Sequence, residues 1–286
     1  MNWLDALLEL GPDVPVVLVT VAAAQGSVPR EAGPKMLVCA EREFDTIGGA
    51  HLEWQAALAD MLVREKELTR ARDALAAMRR RMPWTPVRTD YQFDGPEGRV
   101  SLLDLFAGRQ QLIVYRAFMD PDVDGWPDHG CVGCSLMADH IGNLAHLNAR
   151  DTTLVYASRG PQAEIARIKE RMGWHHPWYT MVPDELGAFD TDFGVDQWHG
   201  TNAFIRRPGE DGDRVYRTYF IDNRGDEAFV NTWSFLDMTA LGRQETWEDS
   251  PHGYPQSAAY EWWSWHDTYG PQAAPDQPQS CDHCAG

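Results

Sequence analysis

The sequence predicts an α/β fold in which a central mixed sheet is flanked by helices. Residues 112–115, Leu-Ile-Val-Tyr, form a short continuous apolar run, which is typical of a strand covered on both faces. The Cys-Val-Gly-Cys dithiol at 131–134 follows and opens a segment whose apolar residues recur at helical spacing. Further on, two apolar segments flank the turn at 210–213, which is a strong hairpin signal.

Residues 1–54 predict an N-terminal appendage that is rich in strands. Strands are indicated over 16–21 and 35–39, with a turn at 25–30 between them. Two strands and a turn bury too little surface to make a domain, so this segment is expected to be an appendage of a larger fold.

Residues 55–83 predict one long N-terminal helix. Apolar residues recur at helical spacing from Leu58 to Met82, and Pro83 ends the element. The stripe has a heptad-like spacing, which is compatible with a homo-oligomer formed through the 55–82 helix.

Residues 84–269 carry the main domain, and residues 270–286 form a Pro/Gln-rich tail that predicts disorder. The elements of the main domain are a hairpin at 91–100, strands at 112–115 and 153–157, helices beginning near 131 and 161, a hairpin at 202–220 and a helix at 227–236. This element order is that of a thioredoxin-like fold. The connection between 172 and 200 is long for a compact domain, so we expect it to be functional or to contain minor structure.

Charge and composition exclude several classes of partner. The chain of 286 residues has a formal net charge of −18, which repels nucleic acid and anionic membranes. No apolar run approaches the roughly 20 residues that a membrane span needs. The first residues lack the positive start of a signal peptide, so we expect a cytoplasmic protein. In that compartment the 5 cysteines favour a reversible dithiol over a framework of structural disulfides.

The dithiol is the strongest chemical signal in the chain. Cys131 is expected at or just before the first turn of a helix, where free N–H groups and the helix dipole stabilise a thiolate. Since the thiolate is the nucleophile in disulfide exchange, Cys131 is the predicted attacking residue and Cys134 the resolving one. His129 is positioned in sequence to assist proton transfer. The expected partner is a disulfide-containing protein or a small-molecule thiol, without a cofactor.

Metal binding is the open alternative to this redox function. Thiolates combined with imidazole suit copper(I) or zinc. The candidate ligands are Cys131, Cys134, His140, His175 and His176. With these residues the chain would be a metal-binding protein or a metalloenzyme.

Tryptophans are concentrated in the second half of the chain and provide a candidate substrate pocket. Trp174 and Trp178 bracket the two adjacent histidines His175 and His176. Aromatic side chains of this kind can line an apolar pocket for a ligand, although their concentration favours packing in the core or against a second subunit.

Five segments resemble a known bacterial family of unknown physiological role, which is described as predicted dithiol-disulfide oxidoreductases with a thioredoxin-like fold. They are REKELTRARDAL at 64–75, VSLLDLFAGRQQLIVYRAF at 100–118, GCVGCS at 130–135, LAHLNARDTTLV at 144–155 and RMGWHHPWY at 171–179. The resemblance covers about residues 56–269. It implies the fold and a presumed redox activity, and it implies no particular substrate.

One position departs from ordinary thioredoxins. Thioredoxins carry a cis-proline just before the third core strand, packed against the dithiol, where a substrate backbone docks. This chain has His199-Gly200-Thr201 at the corresponding place. His199 and Thr201 are therefore predicted substrate-binding residues.

The N-terminal appendage has a separate resemblance. GSVPREAGPKMLV at 26–38 and DTIGGAHLEW at 45–54 resemble the N-terminal segment of the xanthine dehydrogenase accessory family, which is implicated in molybdenum-cofactor maturation and insertion. The resemblance covers about residues 1–54. It implies, as a further alternative, a maturation factor for molybdenum enzymes.

Overall fold

A computed structural model describes residues 14–20, 35–39, 43–44, 49–183, 189–193, 199–210 and 212–270. The chain divides into two compact units, Met1–Arg80 and Arg81–Gly286. The predicted turn at 25–30 and the tail with Cys281 and Cys284 lie outside the described residues.

Among its described residues, the first unit contains a small antiparallel sheet and one long helix. The strands are β1 (Val16–Thr20), β2 (Lys35–Cys39) and β3 (Glu43–Phe44), paired in that order. The helix α1 (Gly49–Arg79) begins before the predicted residue 55 and ends before 82. The earlier end has a steric reason, because the ring of Pro83 disfavours helical backbone at the residue before it. Pairing of two chains through this helix stays a prediction.

The second unit contains one mixed sheet of 8 strands. Its strands are β4 (Thr85–Val87), β5 (Gln92–Gly95), β6 (Gly98–Ser101), β7 (Gln111–Arg116), β8 (Thr152–Ser158), β9 (Trp178–Val182), β10 (Gly200–Arg207) and β11 (Arg214–Ile221). Their order across the sheet is β4-β11-β10-β7-β8-β9-β5-β6. The helices are α2 (Leu102–Leu105), α3 (Val132–Asp139), α4 (Ala145–Asn148), α5 (Gln162–Met172), α6 (Phe189–Phe193) and α7 (Asn231–Leu236), with a 3-10 helix at Asn223–Phe229.

The centre of this sheet has the thioredoxin-like topology that the sequence predicts. β7 and β8 are parallel neighbours, and the crossover between them contains the dithiol helix α3. β10 is antiparallel to β7 on its other side, and β11 is antiparallel to β10. The predicted long connection contains minor structure, β9 and α6. The predicted helix at 227–236 is divided into the 3-10 helix and α7.

The continuous apolar run of β7 is explained by cores on both faces of the sheet. Successive residues of a strand point to opposite faces. Accordingly, Val114 belongs to one buried cluster with Phe93, while Tyr115 belongs to the other with Cys134. The dithiol helix therefore packs on one face of the central strand. Within the described ranges, every helix is too short or too polar to cross a bilayer.

Candidate functional site

Cys131 occupies the N-cap of α3. Serine, threonine, aspartate or asparagine usually fills this position, because a side-chain oxygen can accept a hydrogen bond from an N–H of the first turn. Here the sulfur does so: the backbone N–H of Cys134 donates to Cys131 Sγ at 3.3 Å. Both cysteines are free thiols, and Cys131 is partly accessible. The sequence-predicted position of Cys131 is the one that the structure shows.

Cys134 lies one turn further in and is 1% exposed. Its sulfur accepts hydrogen bonds from the backbone N–H of Phe118 at 3.2 Å and from the hydroxyl of Tyr115 at 3.6 Å. The hydroxyl of Tyr156 donates to the carbonyl oxygen of Cys134 at 3.3 Å. Burial raises the pKa of the Cys134 thiol well above its ordinary value.

The pKa of Cys131 is displaced in the opposite direction, to about 7. The largest cause is the hydrogen bond from the Cys134 thiol, which burial of Cys131 partly opposes. Backbone N–H groups of Cys134 and Gly133 and the positive charge of His199 lower it further. At neutral pH the accessible sulfur is therefore partly thiolate, while the buried sulfur is a thiol.

His199 forms an ion pair with a buried carboxylate. Its Nδ1 atom lies 3.4 Å from Oδ2 of Asp226, which is 4% exposed. The hydroxyl of Thr201 donates to Oδ1 of Asp226 at 2.9 Å and holds the carboxylate in place. The adjacent carboxylate of Asp226 raises the pKa of His199, and burial of the imidazole partly opposes this effect. Gly200 allows this close packing, since a Cβ atom there would lie 2.6 Å from the ring of Phe220.

Cys131 and His199 line one cavity of about 350 Å³. The dithiol helix forms one side of it, and the 3-10 helix with Arg224, Asp226 and Glu227 forms another. Aromatic side chains from α7 and the C-terminal part of the chain complete the wall; they are Trp233, Tyr260 and Trp263.

Four of the predicted site residues do not line this cavity. Thr201 reaches it only through its hydrogen bond to Asp226. His129 is exposed; its backbone N–H donates to the carbonyl of Gly125, and its ring lies 6.0 Å from that of Trp265. Trp174 and Trp178 are buried in the core cluster of the dithiol face, and neither lines the cavity at Cys131. Trp174 lines a different cavity, together with His175 and His176.

The predicted metal ligands are divided between two cavities. Cys131 and Cys134 line the first, whereas His140, His175 and His176 line a separate cavity of about 1110 Å³. His140 Nε2 lies 2.7 Å from the hydroxyl oxygen of Thr232, and burial lowers the pKa of His176 to about 3. Among the described residues, no three His, Cys, Asp or Glu side chains lie close enough together to hold a metal ion.

The sequence interpretation missed Asp226, and among the tryptophans of the second half it selected Trp174 and Trp178 instead of Trp233 and Trp263. Asp226 is one of 43 acidic residues and lies in a short segment without a motif, so no local signal distinguishes it. Tyr115 was the one sign in the sequence of a buried partner for a cysteine, because it places a hydroxyl in the apolar strand before the dithiol. In the structure this hydroxyl donates to Cys134 Sγ.

Comparisons with known proteins give two family matches. A family model described as a bacterial protein of unknown function (DUF899) matches residues 47–269. A model of the XdhC and CoxI family matches residues 10–82, which confirms the resemblance of the N-terminal appendage and extends it into the long helix. No curated protein matches the chain in sequence.

Solved structures with similar chain paths are distant in sequence. Peroxidoxin BcpB from Mycobacterium tuberculosis is 14% identical with a TM-score of 0.31, and the match covers 52% of this chain and 94% of that protein. A protein described as a protein disulfide isomerase from Bacteroides thetaiotaomicron is 17% identical with a TM-score of 0.31, covering 55% of this chain and 94% of that one. A thiol:disulfide interchange protein DsbE from Chlorobium tepidum is 15% identical with a TM-score of 0.29, covering 50% and 92%.

Proposed function

The chain belongs to the DUF899 family of bacterial proteins of unknown function, and we propose that it is a thiol–disulfide oxidoreductase that uses the Cys131–Cys134 dithiol. The observation that supports the proposal is the difference between the two sulfurs. One lies at a helix N-cap in a cavity, with its pKa lowered, and the other is buried one turn behind it, with its pKa raised. Exchange requires one nucleophilic thiolate and one thiol held in reserve.

In the first step of the proposed reaction, the Cys131 thiolate attacks one sulfur of the substrate disulfide. The substrate S–S bond breaks as the mixed disulfide with Cys131 forms. The leaving thiolate takes a proton from the imidazolium of His199, whose charge the Asp226 carboxylate stabilises.

In the second step, Cys134 resolves the mixed disulfide. The now neutral His199 accepts the Cys134 proton, and the Cys134 sulfur attacks Cys131 Sγ. The second substrate thiolate leaves and takes that proton from His199. The protein dithiol is oxidised to a disulfide, and the substrate is reduced to two thiols with two electrons and two protons.

Trapping of the mixed disulfide tests this assignment of roles. In Cys134→Ser the first step is intact and the second cannot occur, so incubation with a small disulfide should leave one substrate half bound at Cys131. Mass spectrometry of the intact protein and of the Cys131 peptide detects the added mass. The matched variant Cys131→Ser should show no adduct at Cys134, because Cys134 is buried. An adduct at Cys134 in that variant would reverse the roles.

The His199–Asp226 pair predicts a specific pH dependence. The wild-type rate of Cys131 alkylation should rise with pH through a midpoint near 7, because only the thiolate reacts. Asp226→Asn removes the carboxylate that raises the pKa of His199, so His199 loses its charge at lower pH. The pKa of Cys131 then rises, and the midpoint should move to higher pH.

A control variant separates this effect from the change of net charge. Asp249→Asn removes the same charge at an exposed position outside the cavity and should leave the midpoint unchanged. The rate of iodoacetamide addition at the Cys131 peptide is the measurement. A midpoint in Asp226→Asn equal to that of the wild type would remove His199 from the mechanism.

The two alternative functions, metal binding and the maturation of molybdenum enzymes, stay predictions. The candidate metal ligands line separate cavities, which weakens a joint site. The alternative of molybdenum-enzyme maturation depends on the family match of residues 10–82 alone.

A further inference from the structure

The C-terminal segment, which we define as residues 244–269, packs against the dithiol end of α3. Two glycines near Cys131 allow a close approach of this segment. A Cβ atom on Gly130 would lie 3.2 Å from the ring of Trp265, and one on Gly133 would lie 3.2 Å from the ring of Trp263. Indole rings of the segment therefore pass close to the backbone just before Cys131 and to the first turn of α3.

Specific polar contacts hold the C-terminal segment in this position. Asp267 forms a bidentate ion pair with Arg171 of α5, with distances of 2.6 and 3.0 Å. His266 Nδ1 lies 2.6 Å from Oδ1 of Asp139, at the end of α3. Both contacts tie the segment to helices of the main domain, so it is part of the folded unit.

A buried carboxylate organises the segment internally. Glu245 is 1% exposed and accepts hydrogen bonds from the backbone N–H of Tyr260 at 3.0 Å and from the indole N–H of Trp262 at 2.9 Å. The indole N–H of Trp247 donates to its other oxygen at 2.5 Å. These bonds fix the chain at the point where Tyr260 and Trp263 enter the wall of the dithiol cavity.

The segment changes the kind of surface that surrounds the attacking sulfur. A folded protein substrate needs an open face, and a standard interface buries about 800 Å² on each partner. Cys131 instead faces a concavity of about 350 Å³, within the range of about 300–1,000 Å³ that is usual for small-molecule pockets.

The lining indicates the class of small molecule. One wall consists of the aromatic side chains Trp233, Tyr260 and Trp263. On the opposite wall Arg224 is paired with Glu227 at 3.1 Å, and Asp226 is paired with His199 at 3.4 Å, so each of these charged side chains has a partner of opposite sign. Such a cavity favours a neutral ligand with an aromatic or apolar arm.

We propose that the C-terminal segment restricts the dithiol to neutral low-molecular-weight disulfides with an apolar or aromatic arm and excludes folded protein disulfides. This inference depends on the proposed function. The chemistry is the two-step exchange given above, in which the reduced protein dithiol supplies both electrons, so one turnover needs no further reductant.

Single-turnover kinetics test the restriction. The reduced full-length protein is mixed with dipyridyl disulfide or with insulin, and the rate constant for loss of the protein dithiol is measured for each. Free dithiothreitol, which meets no steric barrier, supplies the reference ratio. For each reductant we compare the rate constant with dipyridyl disulfide to the rate constant with insulin. This ratio should be at least roughly tenfold higher for the wild type than for dithiothreitol. Trp263→Ala should raise the insulin rate constant by roughly tenfold.

A matched control and a second measurement make the outcome decisive. Tyr254→Ala removes an exposed aromatic side chain of the same segment that does not line the cavity, so both rate constants should stay at wild-type values. In the wild type, Cys131 should react with N-ethylmaleimide but not with a maleimide attached to a folded protein. This second measurement does not depend on any variant that must fold.

Four results would contradict the proposal in distinguishable ways. A wild-type preference equal to that of dithiothreitol, or labelling of Cys131 by the protein-borne maleimide, overturns the restriction and leaves the oxidoreductase function intact. An unchanged insulin rate in a folded Trp263→Ala overturns the role of the segment. A wild type that reduces neither disulfide overturns the proposed function, and this inference with it.

Discussion

Replacing Cys131 with serine is expected to reduce disulfide exchange to the uncatalysed rate. A serine hydroxyl is not ionised near neutral pH and cannot form the mixed disulfide, so both steps of the reaction are lost. The remaining sulfur of the pair cannot substitute, because Cys134 is 1% exposed and burial keeps its pKa high. Stability should change little, since the serine oxygen can still accept the N-cap hydrogen bond that Cys131 Sγ now accepts from Cys134 N–H.

The measurement is the rate of dithiol-dependent reduction of a small disulfide by wild type and Cys131→Ser at equal concentration. Thermal unfolding of both proteins shows whether the fold is retained. Elemental analysis is carried out on the same two proteins, purified without chelator. Bound copper or zinc that is lost in the variant would favour the metal alternative. A folded Cys131→Ser with wild-type turnover would refute the assignment of the nucleophile.

The sequence predicts the part of this site that depends on local chain geometry. An apolar strand followed by Cys-x-x-Cys and a helical repeat places Cys131 at a helix start, and the structure has it at the N-cap of α3. The sequence also predicts the hairpin of β10 and β11, because turn residues at 210–213 separate two apolar strands. In both cases the information lies within a short window of sequence.

The partners of the dithiol were not predictable by the same reasoning, because they come from distant parts of the chain. Asp226 reaches His199 from a 3-10 helix, and Trp263 reaches Gly133 from a segment without helix or strand periodicity. His129 illustrates the opposite case. It is only two residues from Cys131, yet the imidazole whose charge lowers the pKa of Cys131 is that of His199.

The tryptophans show why composition alone is a weak guide to a pocket. Trp174 and Trp178 were the candidates, since they bracket two histidines. Trp178 instead packs in the core with its N–H bonded to Ser158 Oγ at 3.0 Å, and the rings at the dithiol come from residues 233, 260 and 263. An aromatic side chain buries as much area in a core as in a pocket, so only tertiary contacts separate the two uses.

Replacing Asp120 with alanine is expected to be among the most destabilising single changes in the second unit. Asp120 is 0% exposed and lies in the chain just after β7, the strand that precedes the dithiol. Its carboxylate accepts hydrogen bonds from Arg116 Nη2 at 3.2 Å and from the backbone N–H and Nε of Arg159 at 2.9 and 3.1 Å. The carboxylate is therefore the centre of a buried charge network that joins the end of β7 to the end of β8.

Removing this carboxylate leaves Arg116 with a buried charge that has lost one of its counterions; its side chain is 3% exposed. Loss of one partner from a buried ion pair typically costs about 3–5 kcal/mol of unfolding free energy, because the remaining charge stays desolvated. Asp190, whose Oδ2 is 3.2 Å from Arg116 Nη2, can compensate in part, so the loss should lie at the lower end of that range. Urea unfolding followed by tryptophan fluorescence measures it.

Asp122→Ala is the matched control for this prediction. Asp122 pairs with Arg159 at 3.3 Å from the same loop, but its side chain is 79% exposed. An exposed pair contributes little, so the variant should remain within about 0.5 kcal/mol of the wild type. Equal effects of the two substitutions would show that the loop tolerates loss of the buried carboxylate. A larger loss at Asp120 alone would show that the buried ion network, and not the exposed pair, anchors the acidic loop that precedes Cys131.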